Sequence, residues 1–364
     1  MHVSEIDTPA LLIDLDVMER NLQRVAGYCQ ANGLRLRPHT KTHKSPLVGR
    51  RQLESGAAGL TVAKVGEAEV MLGSGTPDLL LHYPVLGRSK LERLMEVARK
   101  TRLTVALDSM FAARQLSDAA RAAQVEVGVL AEADVGLGRV GVSPGEELVQ
   151  LAQCIARLPH VALEGITFYP GHIKDNGEQG QAQLAELGRT IRRMVDDLTR
   201  AGLTPRIVSG GSTPTLFHSH ELDGLNEIRP GTYVYNDMNT VREGGCTLDD
   251  CAASILVTVV STARPGQMIV DGGSKTFSSD RSIAPGDNTF GRLREAPEAN
   301  FRNMNEEHGY VDITRTGRAF SPGDRVRIIP NHVCTAVNMH EQAYGIRGDE
   351  VEQVWQVEAR GKLR

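Results

Sequence analysis

Near the front of the chain, Arg37-Pro38-His39-Thr40-Lys41-Thr42-His43-Lys44 crowds cationic and titratable side chains and hydroxyls into one short segment. A lysine set among other cations is easier to deprotonate and can become a nucleophile, so Lys41 is a candidate for Schiff-base chemistry. The same residues also read as a solvated basic loop, with Lys44 opening the next helix. A second constellation is Pro330-Asn331-His332-Val333-Cys334. On an extended chain His332 and Cys334 project to one side, where an imidazole and a thiolate can chelate a borderline metal such as zinc. A buried cysteine beside a structural histidine has the same spacing. In Asn305-Glu306-Glu307-His308-Gly309, a histidine flanked by carboxylates is either an acid or base for a substrate hydroxyl or the histidine of a hairpin turn.

These residues need elements to hold them. Between about residues 16 and 240, short apolar runs ending in polar or glycine residues alternate with amphipathic stretches, the pattern of repeated βα units. The runs are Leu34–Pro38, Gly59–Val62, Asp78–Pro84, Leu103–Asp108, Val127–Asp134, Leu163–Gly171, Arg206–Ser212 and Asn226–Asn236, with helical patterns such as Lys64–Leu72, Ser109–Ala123 and Pro144–Leu158 between them. That series predicts a (β/α)8 TIM-type barrel, whose chemistry sits at the C-terminal strand ends, where Lys41 falls. A doubly wound sheet is the alternative, but no run ends in GxGxxG. After Cys246, the β-branched segments Ala253–Thr262, Met268–Asp271, Arg325–Pro330 and Val351–Ala359, separated by turn residues, predict an all-β second domain. The strand-like Ala10–Leu15 precedes the helix Val17–Asn32 and has no place in the barrel order, so it is assigned to that sheet. The expected boundaries are 17–245 for the barrel and 1–16 with 246–364 for the β-rich domain.

A chain of 364 residues has room for two or three domains, and 40% apolar with 24% charged residues is ordinary globular composition. The 41 basic and 45 acidic residues are interspersed, so no basic stripe points to nucleic acid. Runs such as Ala253 to Val260 are too short to span a bilayer, and His2, Glu5 and Asp7 do not open a signal peptide; a cytoplasmic protein without membrane association is expected. Five scattered cysteines read as reduced thiols rather than a disulfide framework.

Thr8-Pro9-Ala10 with Ile13-Asp14-Leu15-Asp16, the Arg37–Lys44 segment, and Gly138-Arg139-Val140-Gly141-Val142, taken in that order, resemble the fold-type III pyridoxal-phosphate enzymes. Within them the chain is similar to the D-threonine aldolase and D-serine dehydratase branch. The resemblance implies pyridoxal 5'-phosphate carried on Lys41. The cofactor's phosphate needs backbone N–H groups and small residues at a strand end, which Ser209-Gly210-Gly211-Ser212-Thr213 supplies after the seventh run; a plain glycine turn is the alternative. By resemblance one of Tyr233 and Tyr235, with Tyr235 favoured, also touches the phosphate, Arg139 faces the cofactor's phenolic oxygen where a plain surface-loop arginine is the alternative, Tyr169 is a candidate for the pyridine nitrogen and His172 for the substrate side. Period-two spacing would turn Tyr233 and Tyr235 to one face.

The resemblance further implies a divalent metal on His332 and a second ligand two residues on. That ligand is aspartate in well-known D-threonine aldolases and cysteine in the dehydratases; Cys334 favours zinc, where aspartate would suit manganese or magnesium better. The implied activity is cleavage of D-3-hydroxy-α-amino acids by a homodimer, either retro-aldol to glycine and an aldehyde or, alternatively, dehydration of D-serine or D-threo-3-hydroxyaspartate to a 2-oxo acid and ammonia. A non-catalytic cofactor carrier of this fold is a single barrel, which the second domain argues against. Alanine racemases use a tyrosine base from a partner subunit, which the metal pair would replace here.

Overall fold

The computed structural model describes residues 1–174 and 177–364. They form two compact units, one of 24–41, 45–231 and 361–364, the other of 1–23, 42–44 and 232–360. The chain opens with β1 (Ala10–Asp14) and α1 (Leu15–Ala31). Then follow β2 (Arg35–Leu36), α2 (Pro46–Glu54), β3 (Leu60–Val62), α3 (Val65–Met71), β4 (Asp78–Leu81), α4 (Arg88–Ala98), β5 (Arg102–Leu107), α5 (Met110–Ala123), β6 (Val127–Ala133), α6 (Glu146–Arg157), β7 (Val161–Phe168), α7 (Glu178–Arg200), β8 (Ile207–Gly210) and β9 (Glu227–Ile228).

Strands β2 to β9 form one eight-stranded sheet in the order β2-β9-β8-β7-β6-β5-β4-β3, with every pair parallel. Its two ends meet beyond β2: Thr61 N–H donates to Pro38 O at 2.8 Å and Thr40 N–H to Thr61 O at 2.8 Å. The expected alternating barrel is therefore the observed one. Parallel strands covered on both faces need near-continuous apolar runs, and Leu79, Leu80 and Leu81 are fully buried. The covering helices place apolar residues every three or four positions, as with Leu148, Leu151, Ala152 and Ile155 on α6 and Leu184, Leu187, Ile191, Met194 and Leu198 on α7. Each such buried leucine contributes roughly 1.5–3 kcal/mol.

The last barrel run is a correction. Asn226–Asn236 reads as one strand, but pairing stops at Ile228: Pro230 has no N–H to donate, and a 3-10 turn covers Thr232–Val234. Tyr233 and Tyr235 therefore lie in a turn, not on a pleated strand that would turn both to one face.

The second unit contains α8 (Met238–Arg242), β10 (Ala253–Ser261), β11 (Gln267–Val270), α9 (Ser274–Phe277), β12 (Gly291–Leu293), β13 (Asn300–Met304), β14 (Gly309–Asp312), β15 (Arg325–Pro330), α10 (Val333–Met339), β16 (Gln342–Arg347) and β17 (Glu350–Gln356). β1 lies between β10, antiparallel, and β16, parallel, and the remaining pairs of this sheet are antiparallel. Ala10, Leu12, Leu256 and Ile346 pack with Val3 and Ile6 in its core. The short helices α9 and α10 interrupt what the sequence presents as all-β after Cys246. No helix among the described residues is long and apolar enough to cross a membrane.

Candidate active site

Lys41 is half-buried just past the end of β2, and its backbone N–H donates to His39 Nδ1 at 3.3 Å. Its Nζ lies 5.8 Å from the centroid of the Tyr169 ring, and the Arg139 guanidinium carbon lies 4.8 Å from the same ring. Tyr169 follows β7 and Arg139 follows β6, so three strand ends deliver an amine, a phenol and a guanidinium to one place. Arg37 does not add its charge there, contrary to the sequence reading. Its side chain is 1% exposed inside the barrel, paired with Asp78 and Glu227.

The loop that carries Arg139 is tied by carboxylates. Asp134 Oδ1 accepts from the N–H groups of Gly136 at 3.0 Å, Leu137 at 3.0 Å and Gly138 at 3.1 Å, while Asp108 Oδ2 accepts from Gly141 N–H at 3.1 Å. Partial burial pushes the Asp134 carboxyl up, but the Gly136, Gly138 and Leu137 N–H groups outweigh it and hold it below the usual range. Gly141 has φ +112°, and a Cβ there would stand 2.3 Å from Asp134 N. His172 lies beside this loop, its ring 3.2 Å from where a Cβ on Gly136 would be. Its Nδ1 is buried and has no hydrogen-bond partner among the described residues.

Around β8, the Ser209–Thr213 segment divides its work. The Ser209 hydroxyl points inward, donating to Glu227 Oε1 at 2.8 Å and accepting from Arg229 Nη1 at 2.6 Å. Gly210 is forced by space, because a Cβ would meet the Phe168 ring at 2.3 Å. Ser212 and Thr213 are buried, and Ser212 Oγ lies 3.1 Å from Thr215 Oγ1, so a cluster of hydroxyls follows the glycines.

Behind these groups lies a polar interior that sequence reasoning missed. Arg229 Nη2 donates to His82 Nε2 at 3.0 Å and to Phe168 O at 3.0 Å. Thr167 Oγ1 is 3.1 Å from that nitrogen, and Glu132 Oε1 is 3.6 Å from it. Burial, then the Arg229, Arg139 and Lys41 cations, hold His82 well below its ordinary value, so it is neutral with its proton on Nδ1. Burial raises Glu132 to about 7 despite Arg229 and Arg139, and its Oε2 has no partner among the described residues.

In the other unit, His332 and Cys334 come together by a route the sequence reading did not anticipate. His332, with φ −128° and ψ 107°, is the N-cap of α10, and Cys334 is already on the helix. The turn into the helix, rather than strand pleating, brings the imidazole and the sulfur into hydrogen-bonding reach. Burial works against the imidazolium, but Cys334 and Asp237 outweigh it and push His332 up to about 11. Cys334 Sγ is 3.1 Å from Thr42 Oγ1. Tyr235 belongs to this unit, where it is 1% exposed. His308 is exposed on the turn between β13 and β14, where its carbonyl accepts from Asn305 N–H at 2.9 Å and neighbouring Glu307 pairs with Lys275.

Pyridoxal phosphate fits the barrel residues. An amine and a guanidinium face one ring, a buried imidazole nitrogen has no partner among the described residues, and buried hydroxyls follow two glycines; this donor set suits an anionic aldehyde. A divalent metal fits the His332–Cys334 pair through its imidazole and thiol chemistry. Among the described residues no group of three or more His, Cys, Asp or Glu could hold a metal ion, so such a centre would have two protein ligands.

Residues 13–239 match the family model "Alanine racemase, N-terminal domain", and residues 252–346 match "Putative serine dehydratase domain". The chain is 33% identical to the 3-hydroxy-D-aspartate aldolase of Paracoccus denitrificans (strain Pd 1222), over 100% of this chain and 94% of that protein. The solved D-threonine aldolase of Filomicrobium marinum superposes with a TM-score of 0.93 at 31% identity, covering 99% of this chain and 98% of that one. A D-threo-3-hydroxyaspartate dehydratase, solved as a cysteine-to-alanine variant in the metal-free form, gives a TM-score of 0.90 at 31% identity, covering 98% of each chain. The chain belongs to the alanine racemase-like, fold-type III pyridoxal-phosphate enzymes, in the lyase branch that contains these aldolases and dehydratases.

Proposed function

We propose that this enzyme is a metal-dependent lyase of D-3-hydroxy-α-amino acids that performs retro-aldol cleavage to glycine and an aldehyde. The observation that carries the reading is the imidazole–thiol pair of His332 and Cys334 at the start of α10, backed by a buried carboxylate. A racemase acting at Cα alone has no use for such a pair, whereas a substrate hydroxyl at Cβ does. Likeness to aldolases over the full chain supports cleavage as the reaction.

Pyridoxal phosphate, when bound, supplies an aldehyde for the substrate amine and an electron sink for the carbanion left by bond cleavage. Lys41 Nζ would hold it and is the amine that would move the proton at Cα. Arg139 would meet its phenolic oxygen, Tyr169 its ring, and the Gly210–Thr213 turn its phosphate, with Tyr235 a further candidate for the phosphate. A divalent ion on His332 and Cys334, zinc by the softness of the thiolate, supplies Lewis acidity toward the hydroxyl. His172, whose Nδ1 has no partner among the described residues, is the imidazole on the substrate side, with His308 the alternative base for the hydroxyl proton.

Dehydration is the second reading, favoured by Cys334, because a dehydratase relative has been solved metal-free when a cysteine is replaced by alanine. Product analysis with D-threonine separates the two. Glycine and acetaldehyde are expected; 2-oxobutyrate and ammonia would replace the aldolase reading with the dehydratase one.

A further inference from the structure

Asp237 makes four contacts from a position that is 1% exposed. Its Oδ1 accepts from Thr240 N–H at 2.8 Å and from the Thr240 hydroxyl at 2.8 Å, which caps α8. Its Oδ2 accepts from Val333 N–H at 2.9 Å and faces His332 Nδ1 at 3.3 Å. The His332 side chain makes no capping bond to α10, so Asp237 satisfies the first helical N–H in its place. One carboxylate oxygen thus fixes both the start of the helix that carries Cys334 and the ring of His332.

A carboxylate on Nδ1 keeps the imidazole proton on that nitrogen and leaves Nε2 to face a metal. Aspartate is suited to this double duty, because it presents only acceptors and so meets the Thr240, Val333 and His332 N–H groups without conflict. An asparagine would turn its NH2 toward one set of donors. Asp237 itself is not a third ligand, since no such trio occurs among the described residues.

We propose that Asp237 is the positioning residue of a divalent-metal centre on His332 Nε2 and Cys334 Sγ, setting the imidazole tautomer and the register of the thiol. The proposal rests on the metal reading given above.

The test uses the full chain loaded with pyridoxal phosphate, titrated with zinc against a chromophoric chelator. Asp237→Asn and Asp237→Ala are expected to retain the cofactor absorbance and to lose about 10- to 100-fold in zinc affinity. With cobalt in place of zinc, their ligand-field spectra are expected to shift from wild type. A second measurement needs no variant: imidazole nitrogen NMR of the zinc-loaded wild type is expected to find the proton on His332 Nδ1 and the metal on Nε2. Wild-type zinc affinity in both Asp237 variants, or metal on Nδ1, overturns the proposal. If His332→Ala and Cys334→Ala bind zinc as tightly as wild type, the metal reading itself fails and takes this proposal with it.

Discussion

Lys41 competes with other lysines for the role of nucleophile, and its neighbours decide the matter. Lys44, three residues on, is buried with φ +52° and its carbonyl accepts from Ala359 N–H at 2.9 Å, which places it in the β-rich unit. Lys41 instead shares the Tyr169 ring with Arg139, inside the barrel unit. Borohydride reduction of the cofactor-loaded protein should therefore fix the cofactor on the peptide bearing Lys41. Mapping the label by mass spectrometry checks this, and a label on Lys44 would dismiss the strand-end assignment. Lys41→Ala should abolish the visible absorbance while leaving the melting temperature close to wild type, since no packed core group is removed.

At the scale of elements, the Arg139 loop is held by geometry only glycine supplies at position 141. With φ +112° and a Cβ position 2.3 Å from Asp134 N, Gly141→Ala must move the backbone that Asp134 and Asp108 tie down. A cost of about 1–3 kcal/mol is expected, read as a lower melting temperature, together with weaker retention of the cofactor because Arg139 is displaced. Unchanged melting and unchanged cofactor affinity would detach this loop from the site. Parallel strands such as β4 announce themselves because burial on both faces demands runs like Leu79-Leu80-Leu81. Helix α10 does not, because its β-branched Val333, Thr335 and Val337 read as strand and the carboxylate that starts it lies 96 residues away. Arg37 and Glu227, 190 residues apart, likewise give no local signal that they meet, so a charge expected at the barrel mouth lies inside it.

The stability of the whole molecule inherits that hidden interior. Arg37 bonds Glu227, Ser209 bonds both Glu227 and Arg229, and Arg229 reaches His82, which leaves Glu132 at the end of the chain of contacts with one unpartnered oxygen among the described residues. A buried carboxyl in that position is held protonated to about 7, chiefly by burial and against the pull of Arg229 and Arg139. In the unfolded chain the same group ionises near 4.5. Between those values the folded protein binds more protons than the unfolded one, so the contribution of Glu132 to stability declines as pH rises and is lost above about 7. A displacement of this size corresponds to roughly 3 kcal/mol across the window. Glu132→Gln keeps the shape and stays neutral, so the variant should match wild type near the acid end and become the more stable of the two at about pH 8. Urea unfolding of both proteins at intervals from about pH 5 to 8 measures the difference. Parallel stability curves across that range would mean that Glu132 is already ionised in the fold, its carboxylate balanced by Arg229 and Arg139, and the neutral-acid account of the barrel interior would be withdrawn.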